Sequence, residues 1–318
     1  MQMEETEALS AAATLRQPEG GSRVVGIAAG LAAGALWGLV FVSPRMVSDY
    51  GGVEHTVGRF VVYVAVAGFV MLVTRRRLPT LRQALAAAGF SILGFTGYYL
   101  MLALSVRDAG SEIPTPIIGT IPLALMLLGK PEGLRWRGLL PGMVLTGAGL
   151  LLMVHAAGAF GGAGTSGPHF VRGLLLAAAS MASWTLFALG NAAWLRKNTQ
   201  VEATDWANWL GVAAGIGGVL LWLAAGPSLT EAVARPDWWL FVAICVVTGF
   251  GSAWLATVLW NTASTRLSAS LCGQLIVSET LFGLFYSFLW DQQLPTLTQL
   301  AACVLFTLGI MASIRAHR

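Results

Sequence analysis

Long apolar runs separated by short polar segments make up most of this 318-residue chain. A transmembrane helix needs about 20 predominantly apolar residues. Ten runs of about that length fall at 24–43, 57–74, 84–104, 112–129, 138–156, 172–194, 206–225, 238–260, 268–289 and 296–314. Only helices and closed barrels satisfy the backbone in lipid, and these runs are too long and continuous for alternating barrel strands. The pattern therefore predicts an all-α integral membrane protein with ten transmembrane helices.

A glycine-rich interruption divides the ten runs into two sets of five. Because five is odd, the second set would lie upside down relative to the first, which is a recurring construction in secondary transporters. Short similarities occur in the same order in both sets, such as 35–38 with 182–185 and 105–110 with 263–268. The predicted organisation is a disordered cytoplasmic tail at 1–23, a first repeat at 24–156, a periplasmic linker at 157–171, an inverted second repeat at 172–314 and a cytoplasmic tail at 315–318.

The distribution of basic residues predicts the orientation in the membrane. If the N-terminus is inside, 14 of the 19 Lys and Arg residues fall in cytoplasmic segments and 5 in outer segments. The outer five are Arg45, Arg59, Arg107, Arg172 and Arg235. Lys and Arg concentrate on the cytoplasmic side of membrane proteins. We therefore expect a multi-pass inner (plasma) membrane protein with both termini in the cytoplasm.

Composition and motifs narrow the possible functions. Charged residues make up 11% of the chain, against about 25% in soluble domains, and the net charge of +4 comes from short clusters between apolar runs. Nucleic acid is therefore not an expected partner. Cys245, Cys272 and Cys303 lie inside apolar runs without the spacing of a metal site or a disulfide, and the G-x-G-x-x-G match at 162–167 lies in the linker instead of between a strand and a helix. We expect no metal and no cofactor.

Glu279 is the acidic residue farthest from the ends of any apolar run. It lies about a dozen residues into the ninth run, where a carboxylate costs about 2.5–3.5 kcal/mol or more. Such a residue normally faces a cavity or a polar partner. Two roles are open: it binds a substrate amine or couples protons, or it is a structural hydrogen-bond partner between helices.

Aromatic and amide side chains recur at helical spacing. Trp184 and Asn191 are seven residues apart, as are Trp254 and Asn261, and residues seven apart share one helix face. A cavity of mixed aromatic and amide character suits an amphipathic zwitterion. The residues predicted to bind substrate are Trp37, Tyr98, Tyr99, Trp184, Asn191, Trp254, Asn261 and Gln274.

Three stretches of the second half carry a resemblance to a known family. The stretch at 259–263, which begins Leu-Trp-Asn, is followed by an Ala-Ser turn at 267–270 and by 274–279, which ends at Glu279. This resembles the EamA-type ten-helix branch of the drug/metabolite transporter superfamily, although Thr280 stands where that branch has a proline. The resemblance implies export or exchange of amino acids and related metabolites through a central cavity, without ATP. Bacterial aromatic amino-acid exporters belong to this group.

The sequence thus favours a secondary transporter of small amphipathic metabolites that works by alternating access. A membrane-embedded enzyme would need several convergent His, Asp or Glu residues at membrane depth, and Glu279 is essentially alone there. The alternative is a passive channel or a non-transporting sensor with the same fold, which sequence does not separate from a carrier. Besides the lipid bilayer, the expected partner is a small-molecule substrate. Its identity, the transport direction, the coupling ion and homodimer formation stay open.

Overall fold

Ten long helices account for most of the computed structural model, which describes residues 20–75, 78–109, 114–156, 169–292 and 294–317. Within these ranges the regular elements are all helical. The long helices are α1 (Gly20–Met46), α2 (Gly52–Val73), α3 (Leu81–Ala109), α4 (Pro114–Leu128), α5 (Trp136–Ala156), α6 (Phe170–Lys197), α7 (Ala203–Ala225), α8 (Trp238–Arg266), α9 (Ala269–Asp291) and α10 (Leu297–Ala316). A short helix, Leu229–Ala234, connects α7 to α8.

Among the described residues, nine of these helices are long and apolar enough to cross a membrane. The exception is α4, which is shorter and consists of two pieces, Pro114–Ile118 and Ile121–Leu128. Pro122 has no N–H to donate to the carbonyl of Ile118, so one helical hydrogen bond is missing at the break between the two pieces. The prediction of an all-α membrane protein is confirmed, and the apolar run predicted at 112–129 contains both pieces of α4.

The ends of the predicted segments differ from those of the helices. Residues 20–23 of the predicted N-terminal tail belong to α1, and residues 315–316 of the predicted C-terminal tail belong to α10. The remainder of both tails, apart from residue 317, lies outside the described residues, as does the linker at 157–168.

The main packing contacts follow a regular order along the chain. α1 packs against α8 and α9, and α6 packs against α3 and α4. α2 packs on α7, α5 on α10, and α4 on α9. These contacts are equivalent between the two sets of five helices if α1 corresponds to α6, α2 to α7, α3 to α8, α4 to α9 and α5 to α10. When corresponding helices are exchanged, the contacts of α1 become those of α6, and each of the other three contacts maps onto itself.

Both α3 and α8 contain a π-helical segment, Ile92–Thr96 and Gly249–Leu255. A serine hydroxyl bonds across the helix pair at each segment: Ser183 Oγ of α6 donates to the Leu93 carbonyl at 2.8 Å, and Ser252 Oγ of α8 donates to the Leu36 carbonyl of α1 at 2.5 Å. π-Helical turns often occur at functional sites because they re-aim side chains. Each π-helical segment therefore lies where its helix meets a partner helix: α3 meets α6, and α8 meets α1.

Three glycines of α1 form the face that meets α9. A Cβ atom at Gly34 would overlap the hydroxyl of Ser278, and one at Gly30 would lie 2.7 Å from a methyl carbon of Leu275. At Gly38, a Cβ atom would lie 2.8 Å from the backbone nitrogen of Gly283. Small residues at this spacing let two helices approach closely in a membrane, and here they place Glu279 of α9 beside α1.

Candidate functional site

Three indole rings meet between the two halves of the molecule. Trp37 of α1 and Trp184 of α6 have ring centroids 6.2 Å apart and planes at 81°. Trp260 of α8 lies 5.5 Å from Trp37 and 5.9 Å from Trp184. Trp260 is buried, while the other two are partly accessible. The sequence analysis had placed Trp37 and Trp184 in the site but had noted Trp260 only as part of the Leu-Trp-Asn motif.

A buried arginine lies inside α2, about two turns from its start at Gly52. Arg59 is only 5% exposed, and its guanidinium carbon lies 4.5 Å from the ring centroid of Tyr99 and 5.3 Å from that of Phe60. Its Nε has no hydrogen-bond partner. The assignment of Arg59 to an outer segment from charge counting is therefore wrong, because the residue lies inside a membrane-spanning helix. The apolar residues that follow Arg59 without interruption were the signal that it belongs to the span.

Glu279 is the eleventh of the 23 residues of α9. The Gly34 face of α1 lies against its backbone, one turn from Trp37, so the acid and the indole cluster lie at neighbouring depths. Glu279 interacts electrostatically with Arg59, and the Tyr98 hydroxyl interacts with both. Tyr98 and Tyr99 have ring centroids 4.8 Å apart. Arg59, Glu279 and the two tyrosines therefore form one polar group, the Arg59–Glu279 site, inside the helix bundle.

Two of the predicted amides lie in a fully buried hydrogen-bonded chain. Trp206 Nε1 donates to Asn191 Oδ1 at 2.6 Å, and Asn191 Nδ2 donates to Asn261 Oδ1 at 3.0 Å. Asn261 Nδ2 donates in turn to the Ala203 carbonyl at 3.4 Å. Asn191 and Asn261 are 0% exposed, so in this conformation they join α6, α7 and α8 and present no polar group to a ligand. Their predicted role in substrate binding stays a prediction.

The other two predicted residues are also engaged with protein. Gln274 Nε2 donates to Thr146 Oγ1 at 2.9 Å and its Oε1 accepts from Ser313 Oγ at 3.1 Å, which joins α5, α9 and α10. Trp254 Nε1 donates to Asn208 Oδ1 at 2.8 Å, and its ring is partly accessible. Among the predicted set, the groups with accessible surface are therefore aromatic rings and Glu279, not amides.

A second charged group lies where the α1–α2 turn meets the α7–α8 connection. Arg235 Nη1 lies 2.9 and 3.0 Å from the two carboxylate oxygens of Glu54, and its Nη2 lies 3.1 Å from Glu231 Oε1. The Tyr50 ring stacks on Phe241 at 4.1 Å. Burial raises the pKa of the Tyr50 hydroxyl, which stays neutral and donates to the carbonyl of Pro236 at 3.1 Å. This Arg235 cluster holds together one end of the bundle.

Within the described ranges, the His, Cys, Asp and Glu side chains form no group of three or more that could hold a metal ion. The three cysteines are free.

In the part of the chain that the structure describes, nine helices long and apolar enough to cross a membrane define a multi-pass membrane protein. The chain is 31% identical over 307 residues to inner membrane protein YtfF of Escherichia coli (strain K12), and the match covers 92% of this chain and 96% of that protein. The protein belongs to the family of that inner membrane protein and is itself a multi-pass inner membrane protein. No protein-family model matches the chain. A solved crystal structure of a protein superimposes with a TM-score of 0.72 at 20% identity, covers 93% of this chain and 99% of its own, and shows the same fold.

Proposed function

We propose that this protein is a secondary carrier of small amphipathic metabolites, amino acids or related compounds, that works by alternating access without ATP. The observation that carries the proposal is the exchange pattern of the helix contacts. Two halves of five helices that pack in equivalent ways are expected for an inverted repeat, and carriers built this way bind substrate where the repeats meet. The resemblance to the EamA-type branch points to the same class of function.

The matched residues of the two halves support the inverted repeat. Trp37 and Trp184, which correspond in the internal alignment, face each other at 6.2 Å. The bond from Ser183 to Leu93 joins α6 to α3, and the bond from Ser252 to Leu36 joins α8 to α1, which are corresponding helix pairs. The π-helical member of the pair accepts the first bond and donates the second. In this arrangement the broken helix α4 crosses the membrane as the tenth span, and both termini are cytoplasmic.

Alternating access requires that the two ends of the bundle open in turn. The Arg235 cluster closes the end at which α2 and α8 begin, and its contacts are side-chain ion pairs and hydrogen bonds that can break without disturbing a helix. Discontinuous helices commonly surround the substrate in carriers. The break in α4 and the π-helical segments of α3 and α8 give this chain three such points.

Glu279 fits a transport role better than a structural one. Among the described residues, no hydrogen bond or ion pair to its carboxylate is present, whereas a structural partner would be bonded, as Gln274 is. If the carboxyl couples protons, Glu279→Gln should abolish flux driven by a pH gradient and leave substrate exchange intact. If the Glu279→Gln variant fails to fold, the role of Glu279 is structural.

The experiment is counterflow in proteoliposomes that contain the purified protein, with pools of amino acids, amines and monocarboxylates. A carrier gives saturable uptake that is stimulated by unlabelled substrate on the other side. A channel gives linear flux without that stimulation, and a sensor gives no flux. Trp184→Ala should reduce the saturable uptake at least tenfold, while Trp239→Ala, a matched control with 79% exposure, should leave it unchanged.

A further inference from the structure

We propose that Arg59 is the residue that binds the anionic end of the substrate, and that Arg59 and Glu279 together hold a zwitterion with its carboxylate on Arg59 and its ammonium on Glu279. This inference rests on the carrier function proposed above and names the substrate class of that site. An α-amino acid is the compact molecule that carries both charges one carbon apart.

The first observation behind the proposal is that Arg59 is buried without an acidic side chain bonded to it. An unpaired charge inside a protein is costly unless a counter-charge or several acceptors meet it. Among the described residues no carboxylate forms an ion pair with Arg59, and its Nε is unbonded. Arg235 shows the contrast within the same chain, because two glutamates and a backbone carbonyl surround it. Arg59 therefore retains the donors that a ligand carboxylate would use.

The aromatic neighbours of Arg59 orient those donors. A guanidinium that lies over a ring uses its face for the cation–π contact and keeps its planar edge for hydrogen bonds. That edge matches the two oxygens of a carboxylate. The guanidinium carbon of Arg59 lies 4.5 Å from the ring centroid of Tyr99 and 5.3 Å from that of Phe60, and no acidic side chain of the described residues bonds to this guanidinium.

Glu279 supplies the opposite charge near Arg59. It interacts electrostatically with Arg59, yet the two side chains form no direct ion pair. A molecule with a cation facing Glu279 and an anion facing Arg59 would give each side chain a directly bonded counter-charge. The accessible rings of Tyr99, Trp37 and Trp184 are then available to the apolar part of that molecule.

The first test compares ligands in the wild-type protein. Counterflow is measured with each of the twenty proteinogenic L-amino acids, and for the amino acid that exchanges fastest also with its amide, which lacks the carboxylate, and its deaminated acid, which lacks the ammonium. The proposal predicts at least a tenfold higher KM for both analogues. If simple amines or monocarboxylates exchange and no amino acid does, the proposal of a zwitterionic substrate is wrong, whereas the proposed carrier function still holds. Absence of counterflow with every pool would overturn the carrier itself.

The second test changes Arg59. Arg59→Gln should raise the KM of the amino acid at least tenfold and leave the KM of its amide within twofold, so that the two ligands become similar. Arg59→Lys keeps the charge but not the two-pronged geometry, and should give an intermediate KM even if the glutamine variant fails to fold. Arg107→Gln, whose side chain is 65% exposed, is the charge-matched control and should change neither KM. An equal increase for amino acid and amide, or no increase in either variant, would overturn the proposal.

Discussion

At the residue scale, Asn261 belongs to a buried hydrogen-bonded chain that joins three helices. Asn261→Ala removes the acceptor of Asn191 Nδ2 in a site with no access to water. We expect the protein to lose about 1–3 kcal/mol of stability, measured as thermal unfolding in detergent. The double variant Asn191→Ala/Asn261→Ala should lose less than the sum of the two single variants, because both belong to one bonded chain.

Thr307→Ala is the control for this experiment. The Thr307 hydroxyl is exposed and bonds only to the carbonyl of Cys303 on its own helix, so its removal should have little effect. An Asn261→Ala variant of unchanged stability that has lost transport would show instead that Asn261 binds the substrate, as the sequence analysis expected.

The same residues show what a sequence can reveal at this scale. Trp184 was predicted as a site residue from its helical spacing to Asn191, and the similarity of 35–38 to 182–185 matches it with Trp37, which the structure places beside it. The partners of Asn191 and Gln274 could not be predicted, since they lie on helices distant in the chain. Arg59 was missed because charge counting assigns an arginine near a helix end to the connecting segment, whereas only the fold shows what surrounds it.

At the element scale, the contact between α1 and α9 depends on glycine. Gly34→Ala places a methyl group where the Ser278 hydroxyl lies, so the helices must separate or Ser278 must move. We expect a lower unfolding temperature and slower transport, because Glu279 moves with α9. Gly68→Ala is the matched control in α2, where an added Cβ meets nothing within 4 Å. Equal effects of the two substitutions would contradict the role of this face.

The Arg235 cluster makes a second prediction at this scale. Arg235→Ala removes the contacts of Arg235 with Glu54 and Glu231, which hold the short helix Leu229–Ala234 near α2. Deuterium uptake at Leu229–Ala234 should rise severalfold, as measured by hydrogen exchange with mass spectrometry. Uptake in this helix should stay unchanged in Arg107→Ala, since the neighbouring acid Asp108 keeps its ion pair with Arg172. Unchanged uptake in the Arg235 variant would show that packing alone holds this end.

Hydropathy predicts helices well here because each helix lies in a long apolar run. It does not predict interruptions, since a π-helical turn at Ile92–Thr96 or Gly249–Leu255 leaves the apolar character of the run unchanged. The break in α4 had a visible signal in Pro114, Pro116 and Pro122. Prolines at these positions predict a distorted, broken or kinked helix, but alone they do not determine whether a membrane helix bends or divides.

At the scale of the whole molecule, the number of spans decides how the halves relate. Nine spans would place the two termini on opposite sides of the membrane, whereas ten place them on the same side. The difference lies in α4, whose two pieces are together shorter than the other long helices. In the proposed inverted repeat, α4 is the counterpart of α9, which it packs against. The proposed alternating-access mechanism depends on that relation.

The most direct test of this central claim is the sidedness of single cysteines in a variant whose three native cysteines are replaced. Positions 10, 164 and 318 are each changed to cysteine and labelled in intact cells with a membrane-impermeant maleimide. We predict labelling at position 164 alone, with positions 10 and 318 labelled only after the cells are permeabilised. Labelling of just one terminus in intact cells would show that the chain crosses the membrane an odd number of times, and would contradict two inverted halves of five helices.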